Sequence, residues 1–294
     1  MAEVTVFDRV QVRRQRDRAA ATIARHGFLI DEAAERLADR LLDVKRRFPV
    51  ALDLGCHTGQ LARALAGRGG IERLIQCDLS PAMARAAAGV ALAADEEFLP
   101  FAAESFDLVT SNLSLHWVND LPGALAQINR SLKPDGLLLA SMLGGETLAE
   151  LRRSLIEAET EVEGGAGQRV SPFAEVRDAG SLLQRAGFAL PVVDIDAIAV
   201  AYADPLRLLA DLRGMGEANA AIGRRRSFTR RETLLRAMQI YRERFADAAG
   251  RCVATFQVLT LTAWRPHESQ QRPLARGSGK SSLAEALRDR PQHK

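Results

Sequence analysis

The chain has 294 residues, 47% of them apolar and 26% charged, which suits one large buried core with an appendage and excludes a disordered or fibrous protein. Its 40 Lys and Arg exceed its 37 Asp and Glu by a net charge of only +3, too weak a field to make nucleic acid the expected partner. No apolar run is long enough to cross a bilayer, the start lacks a secretory signal, and Cys56, Cys77 and Cys252 encode neither a disulfide framework nor a metal site, so the reading is a cytoplasmic protein, not integral to a membrane.

From Phe7 to about Val44 the chain is rich in Ala, Arg and Leu, with Leu37, Leu41 and Val44 at helical spacing, and residues 1–45 read as a helical segment ahead of the core. Strand and helix then alternate. Strands are expected at residues 50–53, 74–77, 90–93, 106–110 and 137–142, with helices at 60–66, 81–88 and 122–132. Ser80-Pro81 supplies an N-cap and first helical residue, and Lys133-Pro-Asp-Gly136 reads as a turn. Helices at 146–163 and 174–186 follow, the second ended by Gly187. Alternation over 192–201 and a β-branched, aromatic run over 252–264 add two strands, with helices near 205–213 and 230–245 between them. The expected architecture is α/β, a doubly wound, mostly parallel sheet of seven strands over residues 46–265, with a helical insertion at about 204–250 before the last strand. Residues 266–294 are polar and read as a docked or disordered arm.

The chemistry begins at Asp53-Leu-Gly-Cys-His-Thr-Gly59, the turn between the first strand and the first helix of that alternation. Gly55 and Gly59 let the backbone approach a ligand at a helix N-terminus, at the usual crevice of a doubly wound sheet, with Cys56 and His57 between them. Asp78, ahead of Leu79, can accept both hydroxyls of a ribose, although next to Ser80-Pro81 it also suits a helix cap. After the third strand, Asp95 or Glu96 can accept the exocyclic amine of an adenine while Phe98 or Leu99 covers its face. The G-x-x-x-G spacing lacks the phosphate-binding G-x-G-x-x-G pattern, so an adenosyl ligand without a pyrophosphate fits better than a dinucleotide. Ser111 and Asn112 follow the fourth strand at the same mouth.

These stations resemble class I methyltransferases, Rossmann-like enzymes whose cofactor is S-adenosyl-L-methionine. A narrower resemblance rests on Phe7-Asp-Arg9, Leu52-Asp-Leu-Gly-Cys56, Ala94-Asp-Glu-Glu-Phe-Leu-Pro-Phe101, Ser114-Leu-His-Trp-Val-Asn-Asp-Leu-Pro122 and Leu132-Lys-Pro-Asp-Gly136. It continues through Gly145-Glu-Thr-Leu148, Ala158-Glu-Thr160, Gly164-Gly165, Ser171-Pro-Phe173, Gly214-Met-Gly-Glu217 and Trp264-x-x-His-Glu-Ser-Gln270. Together these are similar to the mitochondrial respiratory complex I assembly factor 5 family, over residues 7 to about 278. That resemblance implies an enzyme that modifies an arginine on an iron–sulfur subunit of complex I, described as hydroxylation, in a bacterial version that is cytoplasmic or peripheral at the inner membrane face. The carboxyl methyltransferase of biotin synthesis shares the core motifs, so carboxyl O-methylation of a carrier-bound acid is a second reading, and a non-catalytic assembly factor a third.

His57 stands where the family pattern has a glycine, either filling the turn or crowding the methionine end of the cofactor, with weakened affinity the consequence to test. His116 is a candidate acid or base, Trp117 a candidate platform for a guanidinium or a core residue, and Glu217, with Asn219 and Tyr202, a candidate grip on a cationic substrate. His267-Glu268 is expected to fold back over the site. Five histidines with no H-x-D or H-x-E pair favour methyl transfer over iron-dependent hydroxylation on residue chemistry alone. The basic run Arg13-Arg14-Gln-Arg16-Asp-Arg18 suits a solvated helix face or an acidic partner or membrane surface.

Overall fold

A computed structural model describes residues 5–271 and 282. Helices α1 (Arg9–Ala19), α2 (Ile23–His26) and α3 (Phe28–Asp39) precede the sheet. The chain then runs through β1 (Val50–Leu54), α4 (Gln60–Ala64), β2 (Arg73–Asp78), α5 (Pro81–Ala86), β3 (Val90–Ala93), β4 (Phe106–Asn112), α6 (Leu121–Ser131) and β5 (Leu132–Leu143). Next come α7 (Ala149–Glu163), α8 (Val176–Arg185), β6 (Ala189–Tyr202), α9 (Pro205–Gly214), α10 (Arg231–Phe245) and β7 (Cys252–Trp264). The seven strands form one sheet in the order β3-β2-β1-β4-β5-β7-β6. Strands β1 to β5 pair in parallel, whereas β7 lies antiparallel between β5 and β6.

Period-2 alternation explains the two-sided core. Leu52, Leu54 and Val109 face one side, packing with Leu125 and Ile128 of α6 and Leu183 of α8. Ala51 and Leu108 face the other, against Leu37 of α3, Phe48 and Leu61 of α4. Both faces of the parallel sheet are therefore dry. A third apolar cluster joins α7, α9 and α10 to β7 through Leu151, Leu208, Tyr241 and Phe256, so the two helices between β6 and β7 pack onto the sheet.

Two local readings change and a third is only partly described. The 133–136 segment is a bulged start of β5 rather than a free turn: Asp135 adopts φ 62° and the β4–β5 register slips between Phe106 and Leu108. The 146–163 helix starts later, because Leu148 at φ 56° breaks the backbone before Ala149. The 266–294 arm is described only to residue 271 and at residue 282; the remainder lies outside the described residues.

Candidate functional site

The parallel strands end along one edge, and the turns there gather the acidic stations. The β1–α4 turn is fastened to β2, because the N–H groups of Gly55 and Cys56 both donate to the Cys77 carbonyl, at 2.8 and 2.9 Å. Only glycine suits position 55: φ is +73° and an added Cβ would stand 2.1 Å from Ser114 Oγ. Gly59 opens α4 in the left-handed region, and buried Cys56 keeps its proton, burial raising its pKa.

His57 shares that left-handed geometry at φ 49°. Its N–H donates to Asp78 Oδ2 at 3.0 Å and its Nε2 donates to the Asn112 carbonyl at 3.0 Å, so Nδ1 is left as the acceptor. Burial, and then Arg16, lower its pKa and keep the ring neutral. Asn112 has become a fastener, donating to the Ile30 carbonyl and accepting from Ser141. Asp53 lies fully buried beneath the turn, where burial lifts its carboxyl to about 7 against a hydrogen bond from Thr110.

Asp78 and Glu96 come together, and with them two arginines and a serine that the sequence reading did not assign to the site. Asp78 accepts from the Ser80 N–H at 2.8 Å and from Arg16 Nη1 at 3.4 Å. Glu96 accepts from Ser114 Oγ at 2.7 Å and from Arg16 Nη1 at 3.1 Å, and is bridged by Arg9, which also binds Asp95 at 2.6 Å. Burial pushes the Glu96 carboxyl up, but Arg9, Arg16 and Ser114 outweigh it and hold the group at about 2. Burial opposes the charge on Arg16, yet Asp78, Glu96 and Glu217 raise its pKa overall. Within the basic run, Arg13, Arg14 and Arg18 are exposed as a solvated face would be, whereas Arg16 is sealed. A signal for this exists in the sequence: Arg9, Val12, Arg16 and Ala19 share one helical face, so burying Val12 and Ala19 also buries both guanidinium groups.

Phe98 does not face inward. It is 75% exposed and turned to solvent, while Leu99 takes the inward position. Leu79 packs with Phe7, Val12 and Trp117. His267-Glu268 does not return to this edge either: β7 runs antiparallel, Trp264 pairs with Leu137 at the start of β5, and His267 bonds to Ser269.

His116, Trp117 and Glu217 meet. Glu217, in the segment after α9, accepts from Trp117 Nε1 at 3.1 Å and lies 2.9 Å from His116 Nε2. Burial works against its charge, but His116 and Arg16 lower its pKa and keep it ionised. Trp117 packs edge-on against Phe7, with centroids 5.4 Å apart, rather than offering an open face. Asn219 is engaged by Ser171 and the Gln168 carbonyl, and Tyr202 packs in the cluster with Leu208 and Tyr241. A cavity of about 210 Å³ is lined by Leu148, Leu151, Leu155 and Phe173 together with Glu217, Asn219, Arg169 and Arg213.

The donor set suits an adenosyl amino acid. Carboxylates stand at the ends of β2 and after β3, and Asp53 Oδ2, His57 Nδ1 and Ser111 Oγ are buried around the glycine turn without a hydrogen-bond partner among the described residues. The strand order, the glycine turn and these stations define a class I methyltransferase fold. A methyltransferase-domain family model matches residues 52–140. The YcgJ protein of Bacillus subtilis superposes with a TM-score of 0.54 at 15% identity, covering 79% of this chain and 98% of that one. The chain is 45% identical to the zebrafish (Danio rerio) protein "Arginine-hydroxylase NDUFAF5, mitochondrial", covering 96% of this chain and 89% of that protein. It therefore belongs to the NDUFAF5 arginine-hydroxylase family. It is also 37% identical to the malonyl-[acyl-carrier protein] O-methyltransferase of a Methylovorus species, over 90% of this chain and 92% of that protein. Among the described residues no helix is long and apolar enough to cross a membrane.

Proposed function

We propose that this protein binds S-adenosylmethionine in the crevice between Asp53, Gly55, Asp78 and Glu96, and modifies an arginine of an iron–sulfur subunit of respiratory complex I during its assembly. The observation that carries the substrate side is Glu217, an ionised carboxylate on the lining of a partly apolar cavity, braced by Trp117 and His116. A long cationic side chain needs that combination: apolar walls for its methylenes and one fixed anion for its head. When bound, the cofactor supplies an electrophilic methyl group on sulfonium sulfur. Asp78 would hold the ribose hydroxyls, Asp95 and Glu96 the adenine amine, and Asp53 the methionine ammonium.

His116 and Trp117 hold Oε2, and Trp117 also reaches Oε1 at 3.3 Å, so the carboxylate is fixed and a guanidinium at the remaining lone pair of Oε1 would be held in one orientation. Family membership supports hydroxylation as the outcome, and the methyltransferase domain supports methylation. Intact mass of the iron–sulfur subunit decides between them, since the gain is one oxygen or one methylene at a single arginine. The gain should vanish on deletion of the gene and on replacement by Glu217→Gln. An unmodified subunit in the wild-type strain would overturn the reading.

Carboxyl O-methylation of a carrier-bound acid is favoured by the likeness to the malonyl-carrier enzyme and by exposed Arg213 at the same cavity, a ready partner for an acid. A methyl ester formed on a malonyl carrier protein by the purified chain would establish it. Cofactor binding with no modification of either substrate would leave the assembly role alone.

A further inference from the structure

We propose that α1 is a displaceable cover over the cofactor crevice, its Arg9 and Arg16 holding Asp78, Asp95 and Glu96 until the nucleoside takes them over, and that its withdrawal also frees the Glu217 segment. The inference rests on the cofactor reading above and adds a step to it. Arg16, Asp53, Asp78, Glu96, Ser111 and Ser114 are each 0% exposed, so no water-sized space lies among them and a nucleoside has no room unless α1 moves.

The grip is built to be exchanged. Arg16 Nη1 is shared between the two oxygens of Asp78 at 3.4 Å each, long for a charge-assisted hydrogen bond. Nε of Arg16 and Oε1 of Gln15 are buried without hydrogen-bond partners among the described residues, and Nε of Arg9 has only Glu97 at 3.8 Å, beyond hydrogen-bond reach, so the cover leaves polar groups unsatisfied. Desolvation offsets much of what a buried ion pair gains, which brings the exchange of guanidinium for ribose hydroxyls close to balance. A guanidinium and a vicinal diol both present adjacent donors to a carboxylate, so they compete for the same oxygens.

The cover also touches the substrate side. Gly216 (φ +86°) lies so close that an added Cβ would be 3.5 Å from Arg16 Cα and 3.3 Å from Ala19 Cβ. Gln15 Nε2 donates to the Asn219 carbonyl at 3.3 Å and the Asp8 N–H to the Ala220 carbonyl at 2.9 Å. Glu217 therefore sits in a segment that rests on α1, and the turn at residues 20–22 before α2 is where the helix can pivot.

S-adenosylhomocysteine, which cannot react, is the probe. With the full chain at saturation, hydrogen exchange should quicken for the amides of residues 9–19 and slow for residues 55–58. If the open form is the minor one, Arg16→Ala and Arg9→Ala should each tighten apparent binding by about tenfold, with Arg16→Lys in between. Calorimetric binding with α1 still protected would overturn the proposal and leave the cofactor reading standing. So would weaker binding by an Arg16→Ala protein that melts normally. Should that variant fail to fold, Arg9→Ala and the wild-type exchange pattern decide. No binding by wild type or any variant would overturn both readings together.

Discussion

The Nε2 of His116 lies 2.9 Å from Oε2 of Glu217, with side-chain exposures of 0% and 2%. The contact ties the loop after β4 to the segment after α9, joining the sheet edge to the insertion between β6 and β7. Trp117 completes the arrangement by donating to the same carboxylate.

Replacing Trp117 by Phe keeps an aromatic ring against Phe7 but deletes the donor to a buried anion. Folding stability should fall by about 1–2 kcal/mol, read by urea denaturation. The losses from Trp117→Phe and Glu217→Gln should be non-additive in a double-mutant cycle; simple addition would show that the bond contributes nothing.

His57→Gly removes a left-handed penalty of about 1 kcal/mol but also a hydrogen bond of about the same worth. Thermal stability should therefore change little. Affinity for S-adenosylhomocysteine should improve severalfold, since the ring no longer stands over the turn and the turn is no longer pinned to Asn112. Weaker binding by the variant would make His57 a contributor to the crevice.

Burial raises the folded-state carboxyl of Asp53 from 3.8 to about 7, so this residue favours the fold below pH 3.8 and opposes it increasingly as pH rises toward 7. A ligand ammonium reverses the preference. Binding of S-adenosylhomocysteine should tighten by up to about tenfold per unit as pH rises toward 7, then level off. Asp53→Asn should flatten that dependence, and an equally steep curve in the variant would assign the proton elsewhere.

Glu96 has the opposite sign. Its carboxyl is held at about 2 against an ordinary 4.5, so its stabilisation is complete above pH 4.5 and is lost as pH falls toward 2. The coupled group is worth about 3 kcal/mol on that scale. Denaturation between pH 6 and 2.5 should show the loss, and Glu96→Gln should be less stable at pH 6 with a shallower acid slope.

The strands were legible because period-2 runs and turn residues state them directly; the reading of residues 252–264 coincides with β7. The glycine turn and the acidic stations were legible because they follow strand ends, where a doubly wound sheet has its crevice. Arg16 was not, since a basic run on a helix reads as solvated until two buried guanidinium groups find three carboxylates from other elements. Of the two residues offered to cover an adenine, Leu99 takes the inward place and Phe98 the outward one, because the bridge between Asp95 and Phe98 turns the chain. His267 was misdirected because the sequence did not state the direction of β7; its antiparallel run carries Pro266 and His267 to the far edge.

That reversal also sets an order for biogenesis. Among the described residues the last strand in chain order, β7, lies inside the sheet between β5 and β6, and β6 pairs with the sheet only through it. While residues 252–264 are still within the ribosome, β5 shows a bare edge and β6 has no neighbour, the state most open to wrong pairing. A chain ending before Cys252 should therefore depend on a chaperone, and emergence of the thirteen residues of β7 closes the sheet in one step.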